Sequence, residues 1–125
     1  MNIANINGVN GETIATKFLV KKGYDILALN YRARFGEVDI IAEKDEYIIF
    51  AEVKTRSENA IYKPYEAVTS TKQKKILRAA MQYLGATGNE KQVRFDIIEV
   101  YLTKNPFLKP KVNHIKNAFE AKGYI

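Results

Sequence analysis

The sequence predicts a single α/β domain in which a mixed sheet of four or five strands is flanked by helices. Its 125 residues are enough for one hydrophobic core but too few for two. Helical and strand patterns follow one another in the order α-β-β-β-α-β, and three consecutive strands favour an antiparallel meander. A helix separates the third strand from the fourth, which allows these two strands to lie parallel through a right-handed crossover.

The first helix and the meander occupy the N-terminal half of the chain. Asn10 can cap a helix from about residue 11 to residue 22, which Gly23 would end. Segments with strand patterns come next, and a polar turn at residues 44–46 joins the second strand to the third. The three strands cover about residues 24–32, 37–43 and 47–55.

The C-terminal half contains a helix, a strand and an ambiguous segment. A loop at residues 57–65 precedes hydroxyl side chains at residues 69–71, which can cap a helix of about residues 72–85. The apolar run at residues 93–102 predicts the fourth strand. Residues 112–119 fit either a short edge strand or a helix.

The composition excludes several kinds of site. Because the chain has no cysteine and one histidine, we expect neither disulfides, nor thiolate zinc sites, nor histidine-based catalysis. No apolar run approaches the ~20 residues of a membrane span, and the N-terminus lacks the pattern of a secretory signal. We therefore expect a cytoplasmic protein without a membrane partner.

The net charge of +6 comes entirely from the second part of the chain. Residues 1–56 balance eight Lys and Arg against eight Asp and Glu, whereas residues 57–125 hold twelve and six. A basic surface suits a polyanion such as nucleic acid, although the same excess of charge also serves solubility.

Charged side chains interrupt two of the predicted strands, in the segment FGEVDIIAEKDEYIIFAEVKTR. Asp39 lies in the second strand, and alternation places Glu52 and Lys54 on one face of the third. With a turn centred near Asp45, Asp39 would lie opposite about residue 51, so the two carboxylates would be near neighbours.

Such a carboxylate pair repels unless one acid is protonated or a cation lies between them. Oxygen ligands without His or Cys suit Mg²⁺ or Mn²⁺. Lys54 could neutralise part of the charge or assist an attacking water in phosphodiester cleavage. Asp96, in the fourth strand, could extend this cluster or form hydrogen bonds within the sheet.

Asp39 followed by Glu52-Val53-Lys54 resembles the D…(D/E)-x-K core of the restriction-endonuclease-like, or PD-(D/E)xK, nuclease superfamily. The blocks GEVDIIA, FAEVKTR, AVTSTKQKKILRAAMQYL and VRFDIIEV together resemble the small, uncharacterised bacterial YraN-like family, which is related in fold to archaeal Holliday-junction resolvases. The resemblance covers about residues 8–119 and implies a restriction-endonuclease-like core.

The resemblance also implies roles for individual residues. Asp39 and Glu52 would hold Mg²⁺ or Mn²⁺ with the carbonyl of Val53, and Lys54 would assist the attacking water. Glu12 on the first helix would complete the acidic cluster, although the helix dipole alone also favours an acid in the first turn. Resolvase-like relatives work as dimers, so a homodimer is expected by analogy.

The second helix would present a basic surface beside this site. Its positive charges would contact backbone phosphates, or they form a solvated helix face. Gln73 lies on its apolar side and either reaches toward the site, as in some members of the superfamily, or caps a local group. The expected nucleic-acid-binding residues are Arg56, Lys72, Gln73, Lys74, Lys75 and Arg78.

The sequence is compatible with three functions. One is a metal-dependent endonuclease that acts on nucleic acid, DNA in particular, including branched or structured forms. Another is a nucleic-acid-binding module in which the acids and Lys54 form a structural ion-pair network. The third is a protein-interaction adaptor of the same fold. Only the nuclease requires the acids to bind a divalent ion.

Overall fold

The computed structural model describes residues 10–57 and 68–121, which form a mixed five-stranded sheet with one helix against each face. The loop expected at residues 57–65 falls, apart from Ser57, outside the described residues. The elements in chain order are α1 (Gly11–Lys21), β1 (Asp25–Ala33), β2 (Gly36–Lys44), β3 (Tyr47–Ser57), α2 (Ser70–Thr87), β4 (Gln92–Leu102) and β5 (Lys111–Phe119).

The strands lie side by side in their sequence order, β1-β2-β3-β4-β5. The first three form an antiparallel meander, β4 lies parallel to β3, and β5 is antiparallel to β4. The predicted meander and the predicted parallel pair across α2 are therefore confirmed. The ambiguous segment at residues 112–119 is an edge strand, which raises the number of strands to five.

Side-chain caps fix where the two helices begin. The side-chain oxygen of Asn10 accepts a hydrogen bond from the N–H of Thr13 at 2.8 Å, and the hydroxyl of Thr69 accepts one from the N–H of Lys72 at 3.2 Å. Both predicted caps are thus confirmed. α2 ends at Gly88, whose left-handed φ of 69° favours glycine. Within the described residues, no helix combines the length and apolar character that a membrane crossing requires.

The hydrophobic core has two parts, one on each face of the sheet. Ala15 and Leu19 of α1 pack on one face, which we call the α1 face. Ile76 and Leu77 of α2 pack on the other, the α2 face. The strand residues beneath α1 include Ile40, Ile49, Ala51, Ile98 and Val100, and those beneath α2 include Val38, Ile41, Ile48, Phe50, Phe95 and Ile97.

Helix α2 approaches the start of β2 very closely. A Cβ atom added to Gly36 would overlap the backbone carbonyl oxygen of Lys75 and would lie 3.1 Å from the backbone nitrogen of Ala79. Only glycine therefore permits this contact between helix and strand. The contact fixes the first half of α2 beside the N-terminal end of β2.

The ladder between β2 and β3 stops partway along both strands. Its last pair is Ile40–Ala51, yet β2 continues beside β1 as far as Gly36, and β3 continues beside β4 as far as Ser57. Residues 36–39 and 52–57 therefore separate from each other, and we call this separation the fork. It interrupts the middle of an otherwise continuous sheet.

Candidate functional site

Asp39 and Glu52 are the first residues beyond the last ladder pair, one on each side of the fork. The N–H of Val53 donates a hydrogen bond to Asp39 Oδ2 at 2.8 Å, so a side-chain oxygen replaces the backbone acceptor that a continued ladder would supply. The N–H and C=O of a strand residue point to the same side. The carbonyl of Val53 therefore also faces the fork.

The observed register corrects the expected one by a single residue. Lys44 pairs with Tyr47 across a two-residue turn, and the ladder then places Ala51 opposite Ile40. Asp39 is consequently level with Glu52 rather than with residue 51. The predicted turn at residues 44–46 is one residue longer than the observed turn. With the shorter turn, Asp39 and Glu52 lie directly opposite each other.

Glu52 is a buried acid whose side chain lies in the fork. The residue is only 8% exposed. Burial, reinforced by repulsion from the Asp39 carboxylate, raises the pKa of Glu52 from 4.5 to about 7, although Lys72 opposes the rise. Without a bound cation, a substantial fraction of Glu52 is therefore protonated at neutral pH.

Lys72 is the cation that neutralises this site in the described part of the molecule. Its Nζ lies 3.4 Å from Glu52 Oε1 and 3.6 Å from Glu37 Oε1. Partial burial alone would lower the pKa of Lys72, but attraction and hydrogen bonding to Glu52, together with attraction to Glu37 and Asp39, outweigh burial and raise it. Lys72 was expected on the outer, phosphate-binding surface of the helix. Instead, the packing of α2 against Gly36 turns it toward the fork.

Lys54 lies on the α2 face with Glu52, as alternation along β3 predicts. It is half-buried and lies level with Glu99 of the neighbouring strand. It forms no ion pair with any residue in the ranges 10–57 and 68–121. The counter-ion role that the sequence allowed for Lys54 therefore belongs to Lys72 among these residues.

Glu12 lies in the first turn of α1, and that helix packs on the α1 face. Its neighbour Gly11 touches β3 so closely that a Cβ atom there would overlap the hydroxyl of Thr55. The helix thus begins beside the C-terminal end of β3. Within the described ranges, no three acids or histidines lie close enough to hold a metal ion, so Glu12 does not form one group with Asp39 and Glu52.

The donor atoms at the fork fit a hard divalent cation. Two carboxylates and the carbonyl of Val53 supply only oxygen ligands, which Mg²⁺ and Mn²⁺ prefer. A cation would also remove the repulsion that helps to hold Glu52 protonated. Asp39, Glu52 and Val53 are therefore the residues that could hold such an ion, with the remaining ligands supplied by water or substrate.

A second buried acid lies next to this site and was missed by sequence reasoning. Glu99 of β4 is 1% exposed and accepts hydrogen bonds from Arg56 Nε and from the side-chain amide of Asn113, both at 2.9 Å. Burial and the Glu99 carboxylate together raise the pKa of Tyr101. The indication was present in the sequence, because Glu99 interrupts an apolar strand just as Glu52 does.

Asp96 belongs to a separate network on the α1 face. Its carboxylate accepts hydrogen bonds from Arg94 Nε at 2.9 Å and from the N–H of Asn117 at 2.9 Å, and lies 2.7 Å from His114 Nε2. Burial alone would raise the pKa of Asp96, but the hydrogen bonds from His114 and Arg94 lower it. Asp96 therefore forms hydrogen bonds within the sheet and does not extend the acidic pair at the fork.

The basic surface of α2 is smaller than its sequence indicates. Lys74, Lys75 and Arg78 are exposed, as a phosphate-binding surface requires. Gln73 donates a hydrogen bond from Nε2 to the carbonyl of Val68 at 2.9 Å, which is the local capping contact that the sequence left open. The outward-facing cations of this helix are thus Lys74, Lys75 and Arg78.

Comparisons with other proteins place the chain in a family. A sequence model described as "Uncharacterised protein family UPF0102" matches residues 11–100. The UPF0102 protein of Caldanaerobacter subterraneus subsp. tengcongensis is 47% identical over 113 residues, which cover 90% of this chain and 93% of that protein. The UPF0102 protein of Alkaliphilus oremlandii is 46% identical over 115 residues, covering 90% and 96%.

A more distant relative spans the same length. The UPF0102 protein of Rhodococcus jostii is 37% identical over 113 residues, which cover 90% of this chain and 94% of that protein. The matched region at residues 11–100 includes the fork and both helices. The chain therefore belongs to the UPF0102 family, the YraN-like family whose sequence blocks it resembles.

Proposed function

We propose that this protein is a divalent-cation-dependent endonuclease that acts on nucleic acid, with DNA as the first candidate substrate. The observation that carries the proposal is the meeting of Asp39 and Glu52 at the fork. The buried carboxylate of Glu52 and the half-buried carboxylate of Asp39 repel each other, and with the strand carbonyl they form a ligand set for Mg²⁺ or Mn²⁺. The resemblance to the PD-(D/E)xK superfamily and its restriction-endonuclease-like fold supports the same assignment.

Each residue at the fork has a role in this proposal. Asp39, Glu52 and the Val53 carbonyl hold the ion, which when bound would polarise the phosphate and acidify an attacking water. Lys54 lies on the same face as Glu52 and can orient the water or face the developing negative charge. Glu12 contributes indirectly, through water, because it does not form one group with the other acids.

The substrate class rests on charge. Lys74, Lys75 and Arg78 are exposed on α2, the helix that also brings Lys72 to the fork. A polyanion that contacts these cations would have its backbone beside the two acids. Branched or structured DNA as the preferred form, and action as a homodimer, are proposed by analogy with resolvase-like relatives alone.

One observation favours a second candidate function, a nucleic-acid-binding module without cleavage. Lys72 already lies 3.4 Å from Glu52, so a lysine can neutralise the acids without a metal ion. In that case the fork is a structural ion-pair network, and the basic residues of α2 alone contact nucleic acid. Cation binding separates the two candidates, because only the nuclease requires it.

The decisive experiment is a cleavage assay on linear, flapped and four-way DNA, and on matched RNA, with Mg²⁺ or Mn²⁺. Cleavage should require the ion and should be abolished in Asp39→Asn. Asp25→Asn provides a matched control, because Asp25 is an exposed acid at the start of β1. Cleavage by Asp39→Asn at the wild-type rate would refute the assignment of this site.

A calorimetric titration with Mn²⁺ and Mg²⁺ tests the ligand set without reliance on activity. The wild-type protein should bind the ion and release protons near neutral pH, because Glu52 must ionise to become a ligand. Glu52→Gln and Asp39→Asn should bind far more weakly, whereas Asp25→Asn should bind normally. Equal affinity in all four proteins would favour the binding module.

A further inference from the structure

A second surface lies beyond the fork, where β3 and β4 end. There a groove of about 800 Å³ opens beside the last residues of β3 and the loop between β4 and β5. This volume falls within the roughly 300–1,000 Å³ of small-ligand pockets. Its lining residues include the polar Arg56, Ser57 and Lys104 and the apolar Pro106, Leu108 and Pro110.

The loop that carries these apolar residues is held in a defined turn. The side-chain oxygen of Asn105 accepts a hydrogen bond from the N–H of Phe107 at 2.9 Å. The backbone carbonyl of Asn105 accepts a second one from the N–H of Leu108 at 3.1 Å. This turn leaves Phe107 92% exposed and Leu108 58% exposed. Leu108 lines the groove and Phe107 precedes it in the chain, so two large apolar side chains are exposed together beside the groove, as on surfaces that bind a partner.

The charge around this groove indicates which partner it suits. Residues 100–119 contain four lysines and no acid. Of these lysines, Lys104 and Lys109 lie in the loop itself, on either side of Phe107. Glu99, an acid of β4 in the described part of the chain, is buried and bonded to Arg56, so it fixes that guanidinium and adds no exposed negative charge. The surface therefore complements a polyanion rather than a cationic or neutral partner.

The groove also lies close to the candidate site along β3. Glu52, Lys54 and Arg56 alternate along β3 on the same face, so the groove begins two residues beyond Lys54. Basic side chains interleaved with exposed aromatic and apolar ones form the combination that binds single strands, because every base offers a face for stacking. A duplex cannot offer unpaired base faces to Phe107 in this way.

We propose that this groove binds a single-stranded nucleic-acid segment that continues from the fork. Arg56 and Lys104 contact its phosphates, while Phe107 and Leu108 contact its unpaired bases. The inference rests on the nucleic-acid partner of the proposed function and extends it, since it specifies a flap or single-stranded tail as the substrate class. It does not depend on the chain being able to cleave.

The test uses the absence of tryptophan from this chain. Phe107→Trp places the only indole of the protein next to Leu108 of the groove. Leu29→Trp, the control, places it on the edge strand β1, where Leu29 is 51% exposed. Fluorescence is measured in EDTA, which prevents cleavage. The probes are an oligothymidylate of about ten nucleotides, the corresponding oligouridylate and a blunt duplex.

We expect the single strands to quench the fluorescence of the Phe107→Trp variant but not that of the Leu29→Trp variant. Phe107→Ala should weaken single-strand binding by about tenfold, the scale expected when one base no longer stacks on an aromatic ring. Leu108→Ala should also weaken binding, whereas Leu29→Ala, the same substitution at another exposed site, should not.

Three outcomes would overturn the inference. These are wild-type affinity in Phe107→Ala, an unchanged Phe107→Trp spectrum at saturating single strand, and equally strong quenching by blunt duplex. Repeating the titration with Asp39→Asn separates this inference from the proposed function. Single-strand binding by a wild-type protein that cleaves none of the substrates would refute only the nuclease, and wild-type cleavage with no role for Phe107 would refute only the groove.

Discussion

Ionising Glu52 costs the folded protein free energy, because burial and Asp39 raise the pKa of Glu52 from 4.5 to about 7. An acid with a raised folded-state pKa stabilises the fold fully below its unfolded pKa, and that contribution is lost as the pH rises through the folded value. In the absence of divalent cations, stability should therefore fall between about pH 4.5 and pH 7.

Glu52→Gln should remove this pH dependence. The amide resembles the protonated acid, so the variant should match the wild type near pH 4 and exceed it above pH 7 by up to about 3 kcal/mol. Urea denaturation in EDTA across this pH range measures the difference, with Glu46→Gln at the exposed turn as control. Adding Mg²⁺ should stabilise the wild type and Glu46→Gln but not Glu52→Gln. If Glu52→Gln were more stable than the wild type by the same amount at every pH, the raised pKa of Glu52 would be contradicted.

Lys54 and Lys72 should respond differently to the same substitution. Lys72→Met should lower the metal-free stability near pH 8 by about 1 kcal/mol, because ionised Glu52 loses a partly solvent-screened partner at 3.4 Å. Near pH 4 the cost should be smaller, because Glu52 is then neutral and the more exposed contact with Glu37 contributes little. Denaturation of both lysine variants at the two pH values makes the comparison, and Lys54→Met should melt like the wild type.

For cleavage, in contrast to stability, the sensitive residue should be Lys54. If Lys54 faces the attacking water, Lys54→Met should reduce the rate by roughly a hundredfold while the protein still binds Mn²⁺. Steady-state rates and calorimetric cation affinity, measured on the same preparations, check both statements. Reduced stability in Lys54→Met, relieved by Mg²⁺, would instead make Lys54 a structural counter-ion.

At the scale of secondary-structure elements, the packing of Gly36 against α2 determines where Lys72 lies. Gly36→Ala should destabilise the protein by about 1–3 kcal/mol, because the new methyl would overlap the backbone carbonyl of Lys75 and force the helix away. Gly85→Ala is the matched control. No atom lies within 4 Å of a Cβ there, so alanine should stabilise α2 by up to about 1 kcal/mol.

The two glycine variants should also differ at the fork. Displacement of α2 in Gly36→Ala should separate Lys72 from Glu52, so this variant should reproduce the pH-dependent destabilisation expected of Lys72→Met. Thermal denaturation at two pH values detects this coupling. If Gly36→Ala and Gly85→Ala behave alike, the tight approach of helix to strand does not exist in solution.

At the scale of the whole molecule, nucleic-acid binding should depend steeply on salt. Replacing Lys74, Lys75 and Arg78 by Ala should reduce the slope of log K against log salt by about one unit for each phosphate that the helix no longer neutralises. Lys17→Ala with Lys21→Ala, on the exposed side of α1, should leave the slope unchanged. If the α2 variant and the α1 variant had the same slope, α2 would not be part of the binding surface.

Local patterns sufficed to predict much of this structure. Asn10 and Thr69 cap their helices through side-chain hydrogen bonds within three residues, so the sequence reports them directly. The pairing of Asp39 with Glu52 also follows from local information, because a short turn leaves little freedom of register. The error of one residue in that register came from the exact length of the turn.

The features that could not be predicted depend on contacts between distant segments. Lys72 reaches Glu52 only because Gly36 admits α2 so closely, and a helical pattern alone does not reveal that approach. Glu99 is neutralised by Arg56 of β3 and bonded to Asn113 of β5, so its environment exists only once three strands have assembled. Residues 112–119 likewise become a strand by pairing with β4.

The fork also gives this site a built-in spectroscopic reporter. The amide proton of Val53 is held by the Asp39 carboxylate, whereas Ala51 lies in the last regular ladder pair. In an NMR hydrogen-exchange experiment, Asp39→Ala should therefore accelerate exchange at Val53 by roughly tenfold or more and leave Ala51 protected. Similar exchange rates at Val53 in both proteins would show that another group protects this amide. Where the effect is seen, one resonance reports the state of Asp39 throughout a cation titration, without any assay of activity.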